Sequence, residues 1–194
     1  MNPTKNNSLT KFIKQTIPFN EMEVNEIVDY FHLLKLKKGD YFLKENQISD
    51  DYFFLEKGLM RTYLHDLEGK QITTDFFSEN NIVFEVTSFF MRVPSETNIQ
   101  AISDCIGYRI SYEELNMLFH NKPAFRDFGR AILVKEFIAS KKRVYAMINQ
   151  TAEKRYQNLL SSKPEIIKSS PLKYIASYLG ITDSTLSRIR KNII

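Results

Sequence analysis

The chain has 194 residues, 43% of them hydrophobic, which is enough to bury a core in one or two domains, and two fit the pattern better. Its single cysteine, Cys105, excludes an intrachain disulfide and reads as a small buried hydrophobe. No apolar leader opens the sequence and no apolar run approaches about eighteen residues, so a cytoplasmic protein without a membrane partner is expected. The net charge of +4 is uneven: 11 Lys/Arg face 3 Asp/Glu from Lys141 onward, against 16 and 20 before it, which favours a polyanion partner at the C-terminal end.

Residues 1–8 are polar and are expected to be disordered. Leu9, Phe12 and Ile13 then carry helical spacing, as do Met22, Ile27, Val28 and Phe31, with Asn20 followed by Glu23 as a capping box. From His32 to Ile110 the pattern changes to short apolar or alternating runs between turn residues. These are Leu33–Leu36, Tyr41–Leu43, Tyr52–Leu55, Leu59–Leu64, Ile72–Phe77, Ile82–Phe84, Thr97–Ala101 and Cys105–Ile110, broken by Lys38-Gly39-Asp40, Lys57-Gly58 and Asp66–Gly69. Such strands at near-regular spacing predict an antiparallel jelly roll or small barrel, able to enclose a ligand.

Ser111 with Glu114 caps a short helix through Phe119, and Pro123 opens a long one to about Asn149, interrupted only by Gly129. Ala131, Val134, Ile138, Lys141, Tyr145 and Ile148 repeat at alternating steps of three and four, which predicts a coiled-coil seam with a second copy; a core helix covering one sheet is the alternative. Phe128, Ile132 and Phe137 are expected to pack on the barrel. Thr151 caps a further helix, Ala152 to Leu160, with Tyr156, Leu159 and Leu160 inward, and Ser161–Ser169 reads as a polar connection.

The last two dozen residues read as a helix-turn-helix. Ser170 suits an N-cap and Pro171 the first helical position, and Leu172, Ile175, Ala176 and Leu179 form one buried face. Ala176 is small where a second helix crosses it, Gly180 sits at the left-handed turn position, and Ile181 plugs the corner. Thr182 caps the second helix, whose inward stripe is Leu186, Ile189 and Ile193. Asp183, Ser184, Ser187, Arg188, Arg190 and Lys191 then face outward. On this geometry Arg188 is the candidate reader of a guanine edge, while Arg190, Lys191 and Lys173 hold phosphates; Asp183 either reads or stabilises the helix N-terminus. Thr182 and Thr185 complete the candidate DNA-binding set. An ordinary helical hairpin would need neither the alanine nor the basic outer face.

A jelly roll, a long helix and a C-terminal helix-turn-helix together resemble the Crp/Fnr family of bacterial transcription regulators. The stretches that carry the resemblance are Lys38-Gly39-Asp40, Glu56-Lys57-Gly58-Leu59 with Arg61, Ile175–Thr182 and Thr185–Lys191. It implies an α+β chain divided into a sensor roll (1–122), a dimerisation helix (123–149) and a DNA-binding domain (150–194). It further implies a homodimer on an inverted-repeat operator in double-stranded DNA, with RNA polymerase as a further partner. Members that bind cyclic nucleotide resemble one another in a glycine-glutamate pair followed, after a short helix, by an arginine and a small hydroxyl residue. Here Phe84 stands in the glycine's place, Glu85 is kept, Ser95 stands in the arginine's place, Glu96 adds negative charge, and Arg92 is the nearby cation. These five residues mark a degenerate effector pocket, and no useful cyclic-AMP affinity is expected. Ser161–Ser169 is too short and polar for the family's extra β-hairpin, and one cysteine cannot hold an iron–sulfur cluster.

Two other functions compete. A jelly roll can be a metal-dependent oxygenase, but that needs converging histidines, and His32, His65 and His120 include no H-x-H pair, with at least two expected in helix or turn; no metal or cofactor is therefore assigned. A ligand-binding module acting through protein partners would want an apolar outer face on its last helix, where this chain has Arg188, Arg190 and Lys191.

Overall fold

The computed structural model describes residues 7–17 and 20–193, so most of the polar segment 1–8 and the side chain of Ile193 lie outside the described residues. The short apolar or alternating runs give eight strands: β1 (His32–Leu36), β2 (Tyr41–Leu43), β3 (Asp51–Lys57), β4 (Met60–His65), β5 (Gln71–Phe77), β6 (Asn81–Val83), β7 (Asn98–Ala101) and β8 (Cys105–Ser111). They form two antiparallel four-stranded sheets, ordered β1-β8-β3-β6 and β2-β7-β4-β5. First pairs with last and second with seventh, the double Greek-key closure of a jelly roll. Phe53, Leu55, Met60, Ile99 and Cys105 fill its interior. Gly58, at φ +115°, turns β3 into β4 where a Cβ would come within 2.6 Å of the Asp104 carbonyl oxygen.

Helices α1 (Asn7–Thr16) and α2 (Glu21–Val28) close one end. The α1 stripe Leu9, Phe12, Ile13 is buried, with Phe12 5.1 Å from Phe54 and 6.0 Å from Phe128 between ring centroids. The Asn20 side chain accepts the Glu23 N–H at 2.9 Å, completing the capping box. Met22, expected inward, is 74% exposed, because Val24, Ile27 and Val28 take the buried face of α2.

After α3 (Val86–Met91) and α4 (Tyr112–Asn121) comes α5 (Pro123–Asn149), unbroken over 27 residues. Gly129 lets α4 approach, since a Cβ there would lie 2.7 Å from the Phe119 ring. Phe128 and Ile132 bury against the roll as expected; Phe137 does not, and is 65% exposed. Five residues past Ile132 a helix has turned about 500°, which carries Phe137 about 140° off the roll-facing stripe.

The C-terminal segment is helical throughout: α6 (Ala152–Ser162), α7 (Pro164–Ser169), α8 (Leu172–Tyr178) and α9 (Asp183–Ile193). The Thr151 hydroxyl accepts the Lys154 N–H at 3.2 Å. Leu160 is exposed rather than inward, since Tyr156 and Leu159 hold the stripe. The expected connection Ser161–Ser169 contains α7, opened by Pro164 and anchored by the fully buried Ile166. Ser170 does not cap α8; it ends α7, Pro171 takes the N-cap place, and the Ser170 hydroxyl is buried without a partner. Leu172, expected in the buried face, is exposed.

This helical segment rests on the roll. Phe76 of β5 packs against Tyr178 at 5.1 Å, and one apolar cluster runs from Leu59, Phe76 and Ile102 of the roll through Leu159 and Ile166 to Ile175, Leu186 and Ile189. Ser177 serves the edge strand: its hydroxyl accepts the Thr73 N–H at 2.8 Å and donates to the Gln71 carbonyl at 3.3 Å.

Candidate nucleic-acid interface and effector cassette

The turn between α8 and α9 is a complete Schellman motif. The Gly180 N–H reaches the Ser177 carbonyl at 3.0 Å, the Ile181 N–H reaches the Ala176 carbonyl at 3.0 Å, and Gly180 has φ +65°. Thr182 then caps α9, accepting the Thr185 N–H at 3.2 Å. Ile175, Ala176, Leu179, Leu186 and Ile189 are buried beneath, so the remaining faces point outward by periodicity. Lys173, Thr182, Asp183, Ser184, Ser187, Arg188 and Lys191 are exposed, and Thr185 and Arg190 half-buried. The structure thus brings the sequence-derived residues of α9 onto one continuous surface, with Lys173 on the preceding helix. Among the described residues none of Arg188, Arg190 and Lys191 is held in an ion pair.

Two arginines that the sequence reading missed hold the turn in place. Arg155 of α6 donates from Nε and Nη2 to the Leu179 carbonyl, at 3.1 and 2.8 Å, and from Nη1 to the Gln150 carbonyl at 2.6 Å. Arg143 of α5 donates to the Tyr178 carbonyl at 3.0 Å and stacks 4.5 Å from the Tyr178 ring centroid. Both cations complement the C-terminal dipole of α8 and saturate carbonyls the helix leaves unpaired. A basic residue on another helix carries no sequence mark of such a distant partner.

At the cassette, the glutamate-led helix is α3, and its N-terminus is already occupied. The Glu85 carboxylate accepts the Thr87 and Ser88 N–H groups, the donors an incoming phosphate would use. Phe84 is buried against Tyr52 and Phe89, with centroids at 4.9 and 5.5 Å, so aromatic rings fill the space. Arg92, the candidate substitute cation, pairs with Asp50, donates to the Ser49 carbonyl at 2.9 Å and lies 4.0 Å from the Tyr112 ring centroid. Ser95 is buried, with its hydroxyl donating to the Thr97 carbonyl at 2.9 Å, whereas Glu96 is exposed. The five residues share one stretch of chain, with Glu85 and Arg92 at opposite ends of α3.

Along α5, Val134, Ile138, Lys141, Tyr145 and Ile148 are exposed, Ile148 to 78%, and Ala131 is half-buried. Phe137, Val144 and Met147 widen this uncovered apolar face. The Lys141 ammonium lies between the Phe137 and Tyr145 rings, 5.8 and 5.9 Å from their centroids. The histidines are dispersed. His32 and His65 lie in strands of different sheets, not in helix or turn as expected, beside Glu114 and Glu45, and His120 ends α4. Among the described residues no three His, Cys, Asp or Glu side chains gather as a metal site, and no helix is long and apolar enough to cross a membrane.

Residues 33–122 match the cyclic nucleotide-binding domain family. That stretch, just under half of the chain, is similar to a cyclic nucleotide-binding domain. The similar solved structures include the c-di-GMP-responsive global regulator CLP of Xanthomonas campestris, 16% identical over 90% of this chain and 91% of that one, with a TM-score of 0.70. FixK2 of Bradyrhizobium japonicum is 16% identical over 84% of each chain, TM-score 0.71. A protein described as a Crp/Fnr-family transcriptional regulator of Eubacterium rectale is 19% identical over 92% of this chain and 87% of that one, TM-score 0.71. At these identities the likeness is one of fold. No curated protein matches the chain in sequence.

Proposed function

We propose that the protein is a homodimeric, sequence-specific DNA-binding regulator of transcription that does not respond to cyclic AMP, and that it is not an enzyme. The observation that carries this reading is the outward basic face of α9, free of ion pairs among the described residues, mounted on a Schellman turn and braced by Arg143 and Arg155. The division follows the three expected segments: residues 1–122 sense, 123–149 pair two copies, and 150–194 bind DNA. Two α9 helices related by a dyad fit an inverted repeat with half-sites about 34 Å apart, and RNA polymerase is the partner such a bound dimer would recruit or exclude. Self-capped Glu85, buried Phe84 and paired Arg92 support the exclusion of cyclic AMP.

Selection of binding sites from random double-stranded DNA tests the reading, with an inverted repeat as the expected outcome. Failure to enrich any sequence at low salt would overturn it. Calorimetric titration with cyclic AMP is expected to give no micromolar binding, and a micromolar constant would overturn that part alone.

A further inference from the structure

A cavity of about 840 Å³ lies where β5, α5, α6 and α8 meet, within the range of about 300–1,000 Å³ typical of small-ligand sites. No residue of the cassette, 84–97, lines it, and of the coiled-coil seam only Tyr145 does. Its apolar lining includes Phe76, Phe77, Ala139, Met147 and Leu159, set among a larger number of polar residues. Three carboxyls also line it: Asp75 and Glu136, both half-buried, and the exposed Glu165. Asp75 accepts only the Phe76 N–H, at 3.0 Å, and Glu136 has no hydrogen-bond or ion-pair partner among the described residues. Burial pushes both above the ordinary carboxyl range, and the charge of Asp75 pushes Glu136 further. The neighbouring cations offset only part of this rise, Lys163 and Arg143 at Asp75 and Lys135 and Lys163 at Glu136, and none of them pairs with either carboxyl among the described residues: Lys163 donates to the Phe76 carbonyl at 3.3 Å and Arg143 to that of Tyr178. Acceptor capacity is thus left unspent in a half-buried cleft, where a donor that enters gains more than it would in open water. Donor capacity is unspent too: Lys135 and Lys142, seven residues apart on one stripe of α5, have no ion-pair partner among the described residues, and the buried Arg143 Nε has no acceptor.

We propose that this cavity is the effector site and that it takes a small zwitterion of the amino-acid class. Its ammonium group is held by Asp75 and Glu136, its carboxylate by Lys135, Lys142 and Arg143, and its apolar body by Phe76, Phe77 and Met147. The occupant touches the long helix and, through Arg143, Tyr178 and Leu179, the contacts that set the α8–α9 turn. Its being an effector rests on the regulator reading above; its binding does not.

Thermal unfolding of the full chain with each free proteinogenic amino acid as probe tests the site. The matching amides, which lack the carboxylate, and the matching des-amino acids serve as controls. At least one amino acid is expected to raise Tm by about 5–10 °C at about one hundred times its dissociation constant, and the controls are not. Glu136→Gln, which keeps the shape, and Ala139→Trp, which fills the space, are each expected to abolish the rise, while Arg188→Ala keeps it. If no amino acid raises Tm, if the controls do so equally, or if the rise survives Ala139→Trp, the proposal is wrong. Fluorescence anisotropy with the selected DNA separates the two readings. A Tm rise without DNA binding leaves the site standing and removes the regulator, whereas DNA binding without a Tm rise removes the site alone.

Discussion

Arg188 is a long cation on the first exposed turns of α9, where a helix penetrates deepest into a major groove. A guanidinium there can donate to O6 and N7 of one guanine, whereas Lys191, a turn further on, offers a point charge to backbone phosphate. Arg188→Ala is expected to cost about 1–3 kcal/mol per half-site and to relax one guanine position. Lys191→Ala should weaken all sequences alike and flatten the salt dependence of log K by about one unit. Selection from random DNA with each variant checks both, and an unchanged motif for Arg188→Ala would remove its role as reader. Asp183, in the first turn of α9, keeps either of its two roles, since carboxylate at that end also favours the helix dipole.

At the scale of elements, α5 has two lives along its length. Its first half buries Phe125, Phe128 and Ile132 in the roll, and its second half leaves Val134, Phe137, Ile138, Tyr145 and Ile148 uncovered. A large apolar side chain left fully in water forgoes about 1.5–3 kcal/mol, part of which a second copy of the same helix would recover in the proposed dimer. Sedimentation of the wild type should show a dimer at micromolar concentration, and Ile138→Asp with Ile148→Asp should give a folded monomer. A double variant that still sediments as a dimer would move the interface elsewhere.

The whole molecule is more continuous than a chain of separate domains suggests. Arg61, 1% exposed, leaves the outer face of the sheet β2-β7-β4-β5 and is stacked between Tyr63, at 4.2 Å, and Tyr174 of α8, at 3.4 Å. It also reaches Gln71 at 2.5 Å and Gln100 at 3.2 Å, and no carboxylate pairs with it among the described residues. A desolvated cation on an aromatic face is worth about 2 kcal/mol, so Tyr174→Ala should separate roll and C-terminal helices into two calorimetric transitions, while Tyr174→Phe should keep one. The cavity carboxyls set a pH dependence at the same junction. Because Asp75 and Glu136 are held above their unfolded values, the folded chain keeps its protons longer, and stability falls as pH rises from the ordinary carboxyl range through the raised values. Asp104 has the opposite slope on the acid side, since the Lys38 N–H and the Lys37 charge hold it low. Thermal unfolding against pH should therefore show a shallower decline above about pH 4 for Glu136→Gln than for wild type.

What the chain itself determines is local: the short strand runs between turn residues, the Asn20 and Ser111 capping boxes, the Gly180 turn and the Thr182 cap are each written in residues a few positions apart, and all of them are present. The basic outer face of α9 was legible for the same reason, because a helix period and a buried stripe suffice to say which residues face out. The errors fall where a distant element decides. Ser170 had the chemistry of a cap, but Ile166 drew the preceding residues into α7 and made Ser170 the end of that helix instead. Phe137 had a core residue's chemistry, but the helix phase set by Phe128 and Ile132 against the roll turned it about 140° away from that surface. The clamp of Arg143 and Arg155, the Arg61–Tyr174 stack and the cavity between roll and helices join residues 24 to 113 positions apart or elements far from neighbours in sequence. Such contacts follow from packing in three dimensions, which no periodicity along one segment records.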